Sequence, residues 1–378
     1  MRVIVSLGIS VLFLVVLAFS SDDKLILKPN DERVFIQGRV LEIVKGSVDF
    51  AYPGVSFEIK VRAKKVSATL EDVSSNNHNN YFNVVVDGKV VKTLQMSKEK
   101  KTYLLVDDLD ESVNHTVKLF KRTEALVGTT RFYGFELEEV KAVEIVKKPS
   151  KKLLVIGDSF SCGYGNGVEL TESDNLNTGF HAENEDNYNA YGAISARKLD
   201  FQYQCVAYSG RGMYRNFDLS TTGTVPELFS HVFPDNEHGG DANLKSYLPD
   251  VIVINLGTND FFGESRNPVE EVDSAAFVGT YIAFLNSLEK TYPKANFICI
   301  AGGMMSDNWP TGRYTLTKIK TYINEVIAVS NSKTQSTKFH FLEFPNHNTI
   351  FGEDWHPTVK WHLTYSDLLT KKIESLNL

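Results

Sequence analysis

Apolar and polar positions alternate with a period of two through residues 34–137 of the chain. In one stretch the residues between the apolar positions are all polar, and the apolar positions are Val55, Phe57, Ile59 and Val61. This alternation is typical of strands that bury one face and expose the other to water. It predicts an N-terminal all-β sandwich of the jelly-roll type.

One tight hairpin can be placed inside this predicted sandwich. Residues 81–86 and 89–91 have strand patterns, and the Asp87-Gly88 pair between them is typical of primed turns. Further strands are predicted at residues 102–106, 117–122 and 132–137.

After residue 150 the pattern changes to short, almost continuously apolar strands that alternate with helical stretches. Strands are predicted at residues 153–156, 204–208, 251–256, 297–300 and 339–344, and helices at residues 190–199, 275–288, 314–328 and 359–369. Such a rhythm indicates a parallel sheet covered by helices on both faces. Ligands of these sheets bind where the strands end.

A charged, proline-containing stretch separates the two patterns, and we interpret residues 147–152 as a short linker. The β-sandwich then covers residues 21–146, and the α/β domain covers residues 153–378.

The first twenty residues resemble a signal peptide that is cleaved after Ser20. Arg2 precedes an apolar stretch that ends in a small-x-small pattern. An uncleaved anchor is disfavoured because the apolar core is short for a membrane span. We therefore expect a secreted protein, or one in the endomembrane lumen, without stable membrane association after cleavage. The sequon at Asn114 agrees with that route.

The formal charge of −7 is spread along the chain, and no long Lys/Arg run is present, which argues against a nucleic-acid partner. Three cysteines are too few for a disulfide scaffold, and at most one bridge can form. No cysteine pair has the spacing of a zinc site. We expect neither a metal nor another cofactor, and we expect a monomer.

The most informative motif is the run Gly157-Asp158-Ser159, which directly follows an apolar strand and continues to Gly163. Glycines allow the backbone to turn sharply, and a serine exposed at the end of a strand can meet a substrate and a base together. The motif predicts that Ser159 is the nucleophile of a hydrolase.

Three later segments fall where other strands end or where the last helix begins. They contain Gly210, Asn259 and His356, and the last stands in Asp354-Trp355-His356-Pro357. Glycine and asparagine can supply N–H donors to an oxyanion, and histidine can act as a base. Each segment alone could be an ordinary turn or cap.

In this order the four segments resemble the blocks of the SGNH (GDSL-type) hydrolase superfamily. The runs GDSFSCGYG, NAYGA, YSGRG and DWHP are more narrowly similar to family 2 carbohydrate esterases, which are secreted deacetylases of plant polysaccharides. The runs FIQGRV, YPGV and YFNV resemble the β-sandwich that precedes the catalytic domain in that family. The resemblance covers nearly the whole chain after the signal peptide.

The resemblance implies that Ser159 is the nucleophile and His356 the base. The oxyanion hole would be formed by the backbone N–H groups of Ser159 and Gly210 and by the Asn259 side chain. It implies an SGNH fold for the C-terminal domain.

The acid behind the histidine has three alternatives. Family 2 members place an aspartate two residues before the histidine, which corresponds to Asp354 and is our first choice. Superfamily members usually place the acid three residues before it, where this chain has Glu353. Some members are Ser-His dyads in which a backbone carbonyl orients the ring.

An acetylated polysaccharide or oligosaccharide is the substrate that the resemblance implies, and Trp355, Trp309 and Tyr164 are candidates for an aromatic platform beneath a sugar ring. Core or rim packing is an equal alternative for Trp309. Two other functions stay open: an esterase acting on lipid or other small esters, and a sugar-binding protein with a vestigial esterase site.

Overall fold

The computed structural model of the protein describes residues 24–74, 77–234 and 240–378. The N-terminal domain is an antiparallel sheet whose strands are β1 (Leu25–Leu27), β2 (Phe35–Gln37), β3 (Val48–Phe50), β4 (Ser56–Asp72), β5 (Tyr81–Val86), β6 (Lys89–Gln95), β7 (Lys101–Val106), β8 (His115–Lys121) and β9 (Thr130–Glu144). The predicted signal peptide lies outside the described residues.

The two longest strands, β4 and β9, fold this sheet around one core. Phe132 of β9 is the register partner of Leu70 in β4, yet its ring stacks on Phe57 with centroids 4.0 Å apart. Phe57 lies 13 positions from Leu70 along β4, roughly 40 Å in a flat strand. The start of β4 therefore faces β9 from an opposite layer, and the predicted sandwich is confirmed.

The predicted hairpin is confirmed as well. Strands β5 and β6 pair antiparallel, and the two residues between them, Asp87 and Gly88, have φ values of 49° and 79°. Two successive positive φ angles define a type I′ turn, whose twist matches that of the flanking strands.

The C-terminal domain is built on a parallel sheet in the order β11-β10-β12-β13-β14. Its strands are β10 (Lys151–Gly157), β11 (Phe201–Ala207), β12 (Val251–Asn255), β13 (Asn296–Gly302) and β14 (Phe339–Phe344). Its helices are α1 (Ser159–Cys162), α2 (Tyr191–Lys198), α3 (Val225–Leu228), α4 (Thr258–Phe261), α5 (Ser274–Thr291), α6 (Thr315–Thr334) and α7 (Val359–Glu374). The predicted α/β class is confirmed.

Helices cover both faces of this sheet, as the apolar strands require. Helix α2 packs beside α7, and α5 packs beside α6. Along β10 the side chains of Leu153 and Val155 join one apolar core, and those of Leu154 and Ile156 join the other. Because β11 and β12 lie on opposite sides of β10, the chain reverses its direction across the sheet there. Such a reversal opens a crevice at the strand ends.

Strand β10 begins earlier than the sequence pattern indicates. Lys151 and Lys152 pair with β11, and the Asp250 carboxylate accepts hydrogen bonds from Lys151 Nζ (3.1 Å) and Lys152 N (2.9 Å). The last two residues of the predicted linker are therefore part of the sheet, because the Asp250 carboxylate binds both lysines at the start of β10.

The three cysteines are buried and free: Cys162 lies in α1, Cys205 in β11 and Cys299 in β13. Among the described residues, no helix combines the length and the apolarity that a membrane crossing requires.

The two domains share a polar interface. The buried Arg39 of the N-terminal domain donates hydrogen bonds to the carbonyl oxygens of Phe229 and His231. Asn83 Nδ2 donates to Asp186 at 3.2 Å. Because hydrogen bonds are directional, these contacts fix the orientation of the two domains relative to each other.

We expect Phe57→Ala to lower the free energy of unfolding by about 3–5 kcal/mol, because it leaves a cavity between the two layers. The matched control is Val91→Ala, at a position 54% exposed on β6, and surface changes of this kind stay within about 0.5 kcal/mol. Urea unfolding of the two variants tests this. Equal midpoints would contradict the facing arrangement of β4 and β9.

Candidate active site

Ser159 stands at the carboxyl end of β10, as the first residue of α1. The turn needs a glycine at position 157, because an added Cβ there would lie 2.1 Å from Ser161 Oγ. The Asp158 carboxylate accepts a hydrogen bond from Phe160 N at 3.1 Å and so caps α1. Gly163, with φ 86°, ends the helix. The Ser159 side chain is held half-buried above the sheet.

His356 lies against this serine, in the loop before α7. Its Nε2 atom is 2.8 Å from Ser159 Oγ, and its Nδ1 atom is 2.9 Å from the backbone oxygen of Glu353 and 3.1 Å from that of Asp354. A carbonyl oxygen can only accept, so Nδ1 must carry the proton of the neutral ring. The Nε2 lone pair is therefore directed at the serine hydroxyl.

The backbone before His356 is bent to aim these carbonyls at the ring. Asp354 and Trp355 have φ values of 46° and 61°, two successive left-handed residues. His356 N donates to the Glu353 carbonyl at 2.9 Å, and the Trp355 carbonyl accepts from His347 Nε2 at 2.7 Å. Local strain of this kind persists only where surrounding contacts hold it.

The two candidate acids form their hydrogen bonds elsewhere. The Asp354 carboxylate accepts from Tyr164 OH (2.6 Å) and Gly179 N (3.1 Å). The buried Glu353 carboxylate accepts from His181 Nδ1 and from Asn184 Nδ2, both at 2.7 Å. In the structure the Asp354 side chain does not hold the ring, and its role as the acid stays a prediction. Its carboxylate is engaged with Tyr164, and backbone oxygens take that place, as in the dyad alternative.

Tyr164 covers the imidazole. The two rings stack with centroids 4.2 Å apart and an interplanar angle of 25°. Burial lowers the pKa of His356 to about 4, and the hydrogen bond to the Glu353 carbonyl opposes that shift. The ring is therefore neutral near pH 7 and able to accept a proton.

Asn259 lies in α4, immediately beyond β12. Its buried Nδ2 atom donates to Asp158 at 3.1 Å and to the Arg211 carbonyl at 2.9 Å. Burial raises the pKa of Asp158 to about 7. These contacts join the ends of β10 and β12 to the loop that contains Gly210.

Gly210 has φ 75°, and an added Cβ would meet only Phe217 Cβ at 3.8 Å, so its backbone conformation, not space, favours glycine. The loop after it is fixed by the buried Asp260, whose carboxylate accepts from three successive backbone N–H groups: Met213, Tyr214 and Arg215. Sequence reasoning missed Asp260, although it directly follows the predicted Asn259.

The two candidate tryptophans are exposed and so accessible to a ligand. Trp355, beside His356, is 44% exposed, and Trp309, in the loop between β13 and α6, is 63% exposed. Tyr164 instead packs on the imidazole. Their contact with a sugar stays a prediction.

Among the described residues, one group of side chains could jointly ligate a metal: Glu124, Cys162 and Glu185. All three are buried between the domains. Burial raises the pKa of the Cys162 thiol well above its ordinary value, which disfavours the thiolate that a metal would need.

Comparison with known proteins identifies the family. Residues 155–364, more than half of the chain, match the GDSL-like lipase/acylhydrolase family. The chain belongs to this family. Residues 36–146 match the N-terminal domain of carbohydrate esterase family 2, so the chain has the two-domain organisation that its motifs indicate.

Two curated relatives are carbohydrate-active. The chain is 31% identical to the cellulase/esterase CelE of Acetivibrio thermocellus over 86% of its own length, and spans 37% of that protein. It is 24% identical to an acetylxylan esterase/glucomannan deacetylase of Cellvibrio japonicus, over 92% of this chain and 90% of the relative.

Solved structures share the fold. A family two carbohydrate esterase from Clostridium thermocellum, in complex with cellohexaose, superposes with a TM-score of 0.80 at 29% identity, covering 90% of this chain and 98% of the other. A family two esterase from Cellvibrio japonicus has a TM-score of 0.80 at 23% identity, covering 93% and 98%. The resemblance to family 2 carbohydrate esterases is thereby confirmed.

The His356 ring should stay neutral as the pH falls below the ordinary histidine value of roughly 6.5 and should titrate near 4. NMR of histidine-labelled protein measures this. In Tyr164→Ala, water reaches the ring face and the titration should move back toward 6.5. The control Tyr133→Ala alters a tyrosine of β9, and should leave the curve unchanged. A wild-type titration near 6.5 would contradict the burial argument.

Proposed function

We propose that this protein is a serine esterase that removes acetyl groups from a polysaccharide. The observation that carries the proposal is the 2.8 Å contact between Ser159 Oγ and His356 Nε2, with Nδ1 held by backbone carbonyls. The carbohydrate relatives and the match of residues 36–146 support acetylated polysaccharide as the substrate class.

In the first step, His356 Nε2 takes the hydroxyl proton while Ser159 Oγ attacks the ester carbonyl. The backbone N–H groups of Ser159 and Gly210 stabilise the oxyanion. The Asn259 amide joins them by freeing one of its two N–H hydrogens, which bind Asp158 and the Arg211 carbonyl in the structure. The imidazolium that forms is stabilised by the carbonyls at Nδ1 and by the negative charge of Asp354.

The imidazolium then gives its proton to the leaving sugar oxygen, and an acetyl group remains on Ser159. In the second half-reaction, His356 takes a proton from water, whose oxygen attacks the acetyl carbonyl. The proton returns to Ser159, and acetate leaves. His356 therefore acts as base and as acid in each half-reaction.

We also propose export of the protein and glycosylation at Asn114, which is exposed just before β8. Support comes from the leader-like pattern of residues 1–20. We propose that the protein acts as a monomer on its polysaccharide.

The decisive experiment measures acetate release from acetylated xylan, acetylated glucomannan and a long-chain ester. We expect release from the polysaccharides, little turnover of the long-chain ester, and loss of activity in Ser159→Ala by three orders of magnitude or more. Preference for the long-chain ester would favour the lipid alternative. Equal acetate release by wild type and Ser159→Ala would exclude this site as the catalyst.

Substitution of Asp354 distinguishes a Ser-His dyad from a Ser-His-Asp triad. Loss of the aspartate in a Ser-His-Asp triad lowers kcat by about 10⁴-fold. We expect Asp354→Asn to lose far less than that, because backbone carbonyls keep the His356 tautomer, while His356→Ala loses nearly all activity. Initial rates of acetyl ester hydrolysis at pH 7 give the comparison. A loss in Asp354→Asn as large as that in His356→Ala would contradict the dyad.

A further inference from the structure

A side chain of the N-terminal domain reaches the loop of Gly210. Glu124 stands between β8 and β9, directly before a 3₁₀ turn at Ala125–Val127, and is completely buried. Its Oε2 atom accepts from Ser209 N at 2.7 Å, and its Oε1 atom accepts from Ser209 Oγ. Ser209 immediately precedes Gly210, so both hydrogen bonds lie next to the proposed oxyanion donor.

Glu124 is itself held firmly. Its backbone N–H donates to Glu185 Oε2 at 2.8 Å, and its carbonyl accepts from the buried Lys121 Nζ at 3.1 Å. Lys121 Nζ also donates to the Thr123 carbonyl at 2.6 Å. Groups of both domains thus fix the backbone that carries this carboxylate.

Burial raises the pKa of Glu124, and the contacts around its carboxylate oppose that shift. Two hydrogen bonds from Ser209 stabilise its carboxylate form, and Lys121 is a nearby cation. Burial raises the pKa of Glu185 well above its ordinary value, and its Oε1 atom has no partner. Its two contacts with Ser209, not a charge state, are what tie Glu124 to this loop.

Other contacts hold the part of the loop from Gly210 onward. Asp260 binds backbone N–H groups of residues 213–215, and Gly210 O accepts from Phe217 N at 2.8 Å. These contacts involve the Gly210 carbonyl and residues after it. The contact with Glu124 lies before it and comes from the other domain, 85 positions away in sequence.

We propose that Glu124 is a positioning residue that fixes the Gly210 N–H through Ser209. The N-terminal domain then completes the active site of the C-terminal domain as well as contributing to the fold. This inference rests on the proposed function, because it assigns the Gly210 N–H to the oxyanion.

A double-mutant cycle on kcat tests the proposal. Glu124→Ala removes both acceptors, and displacement of a positioned group by about 1 Å can cost 10²-fold in rate. We expect kcat to fall by up to about that factor, with KM changing far less, and Glu124→Gln to fall between Glu124→Ala and wild type. Ser209→Ala added to Glu124→Ala should cost less than it does in wild type, because both act through one contact.

The matched control is Asp49→Ala. Asp49 is a buried carboxylate of the same domain, paired with Arg131 at 2.6 and 2.8 Å. We expect it to lower the thermal unfolding midpoint without changing kcat. Equal kcat losses in Asp49→Ala and Glu124→Ala would show a general loss of stability and overturn the proposal.

Hydrogen exchange gives a readout that does not need catalysis. In Glu124→Ala, and in Glu124→Gln if the alanine variant fails to fold, exchange of residues 208–217 should rise while that of β12 stays unchanged. Unaltered exchange in this loop would overturn the proposal. If wild type and Ser159→Ala release acetate equally, the proposed function fails, and the exchange result alone decides the role of Glu124.

Discussion

The active site depends on the hydrogen bonds between His356 Nδ1 and the backbone carbonyls of Glu353 and Asp354. They fix the tautomer of the ring, and so place a lone pair 2.8 Å from Ser159 Oγ. A backbone carbonyl does not titrate near neutral pH and cannot move away by a rotamer change, so it accepts the Nδ1 hydrogen under all these conditions. The cost is local strain at two left-handed residues, which the packing of this loop must hold.

The parallel sheet explains why these distant residues meet. Ser159, Gly210 and Asn259 follow β10, β11 and β12, which are neighbours in the sheet and end at the same edge. The buried side chains that connect them are acidic: Asp158 bonds to Asn259, and Asp260 bonds to the loop after Gly210. Because these hydrogen bonds connect the loops after several strands, one loop cannot move without breaking its bonds to the others.

Much of the fold and the order of the site residues could be predicted from the sequence. The alternation of apolar and polar residues predicted the strand around Phe57, and the Asp87-Gly88 pair predicted the hairpin. Both features depend on residues that are close together in the sequence. The sequence left open whether a carboxylate or a backbone carbonyl accepts the hydrogen of His356 Nδ1. The backbone carbonyls reach the ring because Asp354 has a positive φ, and no sequence pattern indicates that angle. Glu124 could not be found either, since its contact with Ser209 joins two domains and leaves no local pattern.

The buried cysteines have a consequence for how the folded chain responds to oxidants and reductants. Burial raises the pKa of the Cys205 and Cys299 thiols to about 12, so almost no reactive thiolate exists at neutral pH. Neither oxidants nor small thiols have a nucleophile to engage in the native state. All three thiols are free and buried, so a reducing agent finds no disulfide among them to break, and the folded state does not depend on one.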